Sequence, residues 1–389
     1  MQKTKSNLIS HSIIYAAGNI TRQLVGFIML PIYTSYLSPS DYGVIGLLTF
    51  AVSLTGILFG AQLVQAVPKY YYDQTTAKDK NAIVSTGLII TFSATLLLTT
   101  LIVSNQTFAS NLLFPNQELS LVVALFAILL TSQAAEEYGM TFIRIQEKPW
   151  LFISISLSKL ILQLSLNIWL VVIKDMGVLG VALSSAISGV SFALLLTLYT
   201  LSKTGLRISK KAAIKMFSFC WPLWIGSLAA IYIGSGNRYY MKQFSSLEDI
   251  GFFELATKLS SILAVIIWQP FAQTWQTERF KIYQQQDTLQ TYQNIFSFIS
   301  SLMLLACLGI SVFADPIISI MAAPEFAPAI KAVPLLTLAA VFAHLTFFCN
   351  FSFHVSEQTK SISKNNYLMA FIITPLYLLL IPFWGYIGA

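Results

Sequence analysis

Arg22, Lys159, Arg238 and Lys258 each interrupt a long apolar run, and Glu254 is the one acid set as deeply among apolar neighbours. An ionisable side chain in such a run costs about 2.5–3.5 kcal/mol if the run spans a membrane, so each needs a partner or a task. Four cations against one carboxylate suit an anionic ligand. Arginine offers phosphate oxygens a planar fork, and lysine offers a point charge on a long stem. Glu254 is the candidate for coupling a proton or cation. The spacing leaves plainer readings open. Glu254 and Lys258 lie i, i+4, so they either neutralise one another on a helix face or serve a ligand. Lys159 is about two turns from the cytoplasmic end of its run and can snorkel to the interface. Arg238, near the outer end of its run, marks a mouth if nothing more. Arg22 lies about 20 Å along the first run, near the bilayer middle, and is the hardest to explain by snorkelling. Glu136 and Glu137 stand near the cytoplasmic end of the fourth run.

Little else in the sequence could do chemistry. Cys220, Cys307 and Cys349 are widely spaced within apolar runs and show no metal-ligand pattern, so they read as small core residues. His344 reads as a packed polar residue. No disulfide framework, metal site, cofactor or nucleotide-binding loop is indicated. The longest external connections, Asn105–Glu118 and Asp315–Ile330, are nearly charge-free and too short for a folded catalytic domain.

The elements that hold these charges follow from composition. The chain has 389 residues, 56% hydrophobic and 10% charged, with a mean hydropathy of +0.71. Soluble domains carry about 25% charged residues. The apolar runs reach 18 residues or more, and a bilayer core needs about 20 per helix. The sequence is therefore read as an all-α integral membrane protein of eleven spans, beginning near Leu8, Tyr42, Ala82, Leu119, Trp150, Gly177, Lys215, Gly251, Ile295, Lys331 and Tyr367. The first is too long for a signal-peptide core and lacks a small-residue cleavage site.

The net charge of +7 comes from loops rather than a binding footprint, which argues against a nucleic-acid partner. With the N-terminus in the cytoplasm, inside segments carry sixteen basic residues, among them Lys3, Lys5, Lys69, Arg144, Lys210 and Lys364. The other side carries four: Lys174, Arg238, Lys242 and Lys331. That asymmetry orients the N-terminus inward.

The chain also repeats itself at an offset of 208 residues. Asp41-Tyr42-Gly43 falls on Asp249-Ile250-Gly251, and Gly177-Val178-Leu179-Gly180 falls on Gly385-Tyr386-Ile387-Gly388. Both matches sit at helix starts on one predicted side. An even repeat of six helices gives two pseudo-symmetric bundles related by an axis along the membrane normal. The expected lobes are residues 1–205, helices one to six, and 206–389, helices seven to eleven with the start of a twelfth. Under the offset the second bundle is truncated after its fifth helix, so the native protein is expected to continue for another. Gly18, Gly26 and Pro31 punctuate the leading helix of the first lobe; Pro222, Gly226, Gly234 and Gly236 punctuate that of the second. These either permit bending or serve close packing. Trp221, Trp224, Trp268, Trp275 and Tyr70 to Tyr72 lie near span ends and read as interface belts.

The run Gly18-Asn19-Ile20-Thr21-Arg22-Gln23-Leu24-Val25-Gly26-Phe27, with Tyr36-Leu37-Ser38-Pro39-Ser40-Asp41-Tyr42-Gly43, resembles the polysaccharide transporter family, the Wzx-type O-antigen and exopolysaccharide flippases. Ile250-Gly251-Phe252-Phe253-Glu254-Leu255-Ala256-Thr257-Lys258-Leu259 is similar to that family's Gly-aromatic-small-Ala-Lys-Leu stretch, with Glu254 as a departure. Gly385 to Ala389 looks like the start of its twelfth helix. The wider superfamily holds the multidrug and toxin extrusion antiporters and the lipid II flippases. The resemblance implies two six-helix lobes around a cationic cavity. It implies a multi-pass protein of the bacterial cytoplasmic (inner) membrane, serving O-antigen, lipopolysaccharide or other polysaccharide biosynthesis. Its substrate would be an undecaprenyl-pyrophosphate-linked oligosaccharide, carried from the cytoplasmic to the periplasmic leaflet by alternating access, with membrane lipid and other polysaccharide assembly proteins as partners. Arg22 matches a Ser/Thr-Arg position that lipid II flippases use in the cavity. Lys159, Arg238 and Lys258 match by charge and location.

Two rival functions compete with this one. A multidrug or cation antiporter would want acids in the cavity, whereas the first helix carries an arginine. A membrane glycosyltransferase or polymerase would want paired acids or basic clusters on large external loops, and Asp41 alone occupies the first of them.

Overall fold

In the computed structural model the described residues are 26–27, 29–60, 62–115, 118–283, 287–356 and 359–389. Among them every regular element is helical. The elements are α1 Leu30–Tyr36, α2 Pro39–Gly60, α3 Ala66–Tyr72, α4 Ala77–Ser104, α5 Gln106–Leu113, α6 Ser120–Ile145, α7 Pro149–Asn167, α8 Gly177–Thr204, α9 Lys210–Ser235 and α10 Asn237–Phe244. They continue with α11 Leu247–Leu263, α12 Gln269–Tyr283, α13 Thr288–Val312, α14 Ala314–Met321, α15 Val333–Cys349, α16 Phe351–Val355 and α17 Thr359–Trp384. Two π-helical segments, Ile168–Ile173 and Ala264–Trp268, extend α7 and α11.

Ten helices among the described residues are long and apolar enough to cross a membrane, each of 21 to 30 residues. They coincide with the second to eleventh expected spans. The body of the first expected span, with Arg22, lies outside the described residues. The long helices have apolar side chains all round, as helices do when lipid covers one side and protein the other. Their ends carry the local signals of soluble helices. Thr76 accepts from the Asp79 amide at 3.1 Å, and Ser209 from the Ala212 amide at 3.3 Å. The connections expected as external loops fold instead into short helices: α5 in one, and α14 with the 3-10 turn Pro324–Lys331 in the other.

The chain packs as two compact units. The first comprises Leu47–Gly236. Its core is α6 against α8 and α4, with α9 closing over α4 through Met216 and Cys220, which pack with Val84, Leu88, Tyr138 and Phe142. Polar side chains tie these helices together inside: Thr99 Oγ1 meets the Ala127 carbonyl at 2.8 Å, and Thr91 meets the Tyr138 hydroxyl at 3.0 Å. The second unit comprises Phe27–Gly46 and Asn237–Ala389. Here α15 packs between α11 and α13, and the Thr337 hydroxyl bonds Ser260 at 3.0 Å. This division follows packing and keeps α9 with the helices before it; the lobes 1–205 and 206–389 follow the sequence repeat.

Two expectations about side chains change. Trp268 and Trp275 are buried, at 6% and 3% exposure, rather than set in an interface belt. Trp275 stacks on Phe348 at 4.4 Å and on Phe271 at 5.7 Å, forming an aromatic core where α11, α12, α13 and α15 meet. His344 stacks on Trp268, as a packed residue should. Cys220 and Cys307 are buried, but Cys349, expected in a core, is exposed.

Candidate anion-binding site

The site begins with a repeated cap. Ser38 starts α2: its hydroxyl accepts from the Asp41 amide at 3.2 Å, and its own amide donates to the Asp41 carboxylate at 2.9 Å. Ser246, 208 residues later, starts α11 with the same hydroxyl cap, accepting from the Asp249 amide at 3.1 Å, while the Asp249 carboxylate accepts from the Ser245 hydroxyl. The first is a capping box with Asp in the third position, and the two serine caps set α2 and α11 going from equivalent residues.

The two helices then cross at backbone contact. A β-carbon at Gly43 would overlap the Leu247 carbonyl oxygen, and one at Gly251 would overlap that of Pro39. Gly43 and Gly251 are 208 apart, and so are Pro39 and Leu247. Each contact is therefore the other's image under the repeat, as at a local twofold axis. Only glycine lets helix backbones approach this closely.

One turn further along, the symmetry breaks. Gly46 and Glu254 are again 208 apart, and the Glu254 side chain lies directly over Gly46. A β-carbon at Gly46 would come within 2.6 Å of Glu254 Cγ and 2.7 Å of its Oε1. From that seat Glu254 accepts from Arg238 Nε at 2.6 Å. Arg238 also donates through Nη1 to Asn237 Oδ1 at 3.0 Å and lies over the Phe253 ring at 5.2 Å. The arginine side chain is 9% exposed and the glutamate 22%, so the pair is largely removed from solvent. Such a pair repays its desolvation only when further hydrogen bonds complete it, as Asn237 does here.

Lys258 follows Glu254 by one turn on α11. It forms no salt bridge among the described residues. Between them, the Thr257 hydroxyl is buried with no hydrogen-bond partner among the described residues. Glu254, Thr257 and Lys258 are i, i+3 and i+4, which places them on one helix face. That face therefore carries a carboxylate bound to a guanidinium, an ammonium and an unused hydroxyl.

The expected site residues thus fall in different places. Arg238 and Lys258 come together with Glu254 in the second unit. Arg238 is not in the seventh span: α9 ends at Ser235 and Arg238 stands on the short helix α10. The proposed neutralising partner of Glu254 was Lys258, but the ion pair is with Arg238. Lys159 belongs to the first unit, where it donates to both Glu136 carboxylate oxygens at 2.7 and 2.6 Å beside a cavity of about 180 Å³ lined by Ser156, Gln163 and Phe192. Arg22 lies outside the described residues. Sequence reasoning missed Gly46 and Asn237. Gly46 had a signal, since it is the repeat partner of Glu254; Asn237 had none, because its role comes only from adjacency to Arg238.

The chain matches the family model described as polysaccharide biosynthesis protein over residues 8–275. Among curated proteins none matches the sequence. Several solved structures share the fold. The lipid II flippase MurJ in an inward closed conformation is 12% identical, with a TM-score of 0.77 over 97% of this chain and 83% of that one. An inward-facing multidrug resistance MATE family transporter of the MOP superfamily is 14% identical, with a TM-score of 0.68 over 95% of this chain and 92% of that one. A MOP superfamily transporter from Pyrococcus furiosus, described as having a binding pocket of reversed polarity, is 15% identical, with a TM-score of 0.53 over 99% and 90%.

Proposed function

From the premise that this chain belongs to the polysaccharide biosynthesis protein family, we propose that it is a flippase, a transporter and not an enzyme. It carries an undecaprenyl-pyrophosphate-linked oligosaccharide from the cytoplasmic to the periplasmic leaflet of a bacterial cytoplasmic membrane. The family match over residues 8–275 is the observation that carries this reading. The within-span cations support it, because a pyrophosphate needs charge in a place where charge is otherwise costly.

In this reading Lys258 and Arg22 meet the pyrophosphate directly. Arg238 and Lys159 reach it from existing ion pairs with Glu254 and Glu136. The lipid tail stays in the bilayer while alternating access, built on the lobes 1–205 and 206–389 with the N-terminus in the cytoplasm, exposes the head group outward. The ion or potential that drives the cycle acts through Glu254 or on the anionic head group itself; no bound cofactor is needed. Other polysaccharide assembly proteins receive the product.

Complementation tests the proposal. A bacterial strain lacking its own flippase is given the wild-type chain, Lys258→Ala or Arg22→Ala, and surface polysaccharide is read on a gel at matched protein level. Restoration by wild type and loss in the variants is expected. Failure in every polysaccharide background together with acquired drug resistance would transfer the chain to the antiporters.

A further inference from the structure

Arg238 offers the second unit a guanidinium for a phosphate, yet its Nε is already taken by Glu254 at 2.6 Å. An anion reaching this site meets a carboxylate in its place. We infer that Glu254 is an internal competitor for the substrate's phosphates: the incoming anion displaces it from Arg238, and only an anion able to engage Arg238 and Lys258 together does so. This inference rests on the flippase reading and adds how the site selects its ligand.

Three observations support it. The charges are unbalanced: Arg238 and Lys258 carry two positive charges and Glu254 one negative. A diphosphate, with at least two negative charges, satisfies both cations where the carboxylate satisfies one. The second cation is held ready. Lys258 sits one turn from Glu254, about 6 Å along the helix, and forms no salt bridge among the described residues. The Thr257 hydroxyl on the same face is buried and unpartnered, a costly arrangement for a polar group unless a ligand completes it. A phosphate oxygen bridging Arg238 and Lys258 would lie within its reach.

The seat of Glu254 links this exchange to α2. Its Cγ and Oε1 rest where a side chain at residue 46 would be, so the carboxylate is wedged between Arg238 and the bare backbone at Gly46. Displacing it removes the side chain that lies against Gly46 of α2. Anion binding thereby loosens α11 from α2 at one turn while leaving the glycine contacts of the preceding turn intact. Singly charged anions, which cannot pay for two cations at once, leave Glu254 in place.

The test is binding of inorganic pyrophosphate to the full chain purified in detergent, read as the midpoint of a thermal-shift titration at constant ionic strength, with the singly charged nitrate as the control anion. Wild type is expected to bind pyrophosphate better than nitrate. Glu254→Gln is expected to tighten pyrophosphate binding about tenfold, a coupling of ordinary size, and to narrow the preference over nitrate. Arg238→Gln and Thr257→Val are expected to weaken pyrophosphate binding. A purely structural Glu254 would give the opposite sign, because the site would fall apart without it; unchanged or weaker binding in Glu254→Gln overturns the inference. If Glu254→Gln does not fold, Glu254→Asp keeps the charge but is too short to span from α11 to Arg238 across Gly46. It should tighten binding by a smaller factor, and weaker or equal binding again overturns the inference. No pyrophosphate binding by wild type or any variant overturns the flippase reading together with this one; binding by wild type without a gain in either Glu254 variant overturns this one alone.

Discussion

Gly46 and Glu254 occupy equivalent positions of the two repeats, and in the folded protein the glutamate of one lies on the glycine of the other. Three positions leading to this crossing are identical in the two repeats: serine caps 38 and 246, aspartates 41 and 249, glycines 43 and 251. The Gly46–Glu254 pair departs from that match, and its glutamate forms the ion pair with Arg238.

Gly46→Ala tests the seat. The added methyl meets Glu254 Cγ at 2.6 Å, and Glu254 is pinned by Arg238, so it has little freedom to yield. Overpacking of this kind costs about 1–3 kcal/mol. The same substitution combined with Glu254→Ala should cost far less, since the clashing atoms are gone. Thermal unfolding in detergent of the two single variants and the double variant measures the coupling. Additive effects would mean that the two residues do not touch.

Gly251→Ala tests the crossing itself. The methyl would meet a backbone carbonyl, which cannot rotate away as a side chain can. The loss of stability or transport should exceed that of Gly46→Ala, and Gly43→Ala should match it, because the two contacts are images of one another. Unequal outcomes for Gly43 and Gly251 would argue against the local twofold.

Lys159→Ala removes the ammonium that pairs with Glu136 in the first unit. With side chains 29% and 16% exposed, the pair is only partly desolvated, so a loss of about 1–3 kcal/mol is expected rather than the larger cost of a fully buried pair. Replacing both residues, as Lys159→Met with Glu136→Leu, should recover most of that stability. Polysaccharide complementation by the double variant then separates two roles. Function restored with stability makes the pair structural; a stable but inactive double variant makes Lys159 a substrate contact.

Trp275→Ala removes the centre of the aromatic core between α12 and α15. Large-to-small changes at a buried tryptophan cost about 3–5 kcal/mol. The expected result is a marked fall in the unfolding midpoint. A change confined to lipid association, with stability intact, would restore the interface-belt reading of this residue.

Much of the molecule was determined by sequence alone, because lipid imposes a simple rule. Each span must bring about 20 apolar residues and satisfy its backbone internally, so ten helices appear among the described residues where the second to eleventh of the eleven apolar runs lie. The 208-residue offset was also legible, since the Ser-x-x-Asp-x-Gly starts of α2 and α11 are short-range signals that survive without an alignment. Tertiary structure alone decided the partners. Nothing in the sequence says that Lys159 reaches Glu136 across a helical hairpin. Nor does it say that Glu254 turns to Arg238 on a separate short helix rather than to Lys258 one turn away. Hydropathy records how costly a charge is within a span; which opposite charge offsets that cost depends on helix rotation and crossing. Those are set by packing between helices, and here by two glycines that let α2 and α11 touch.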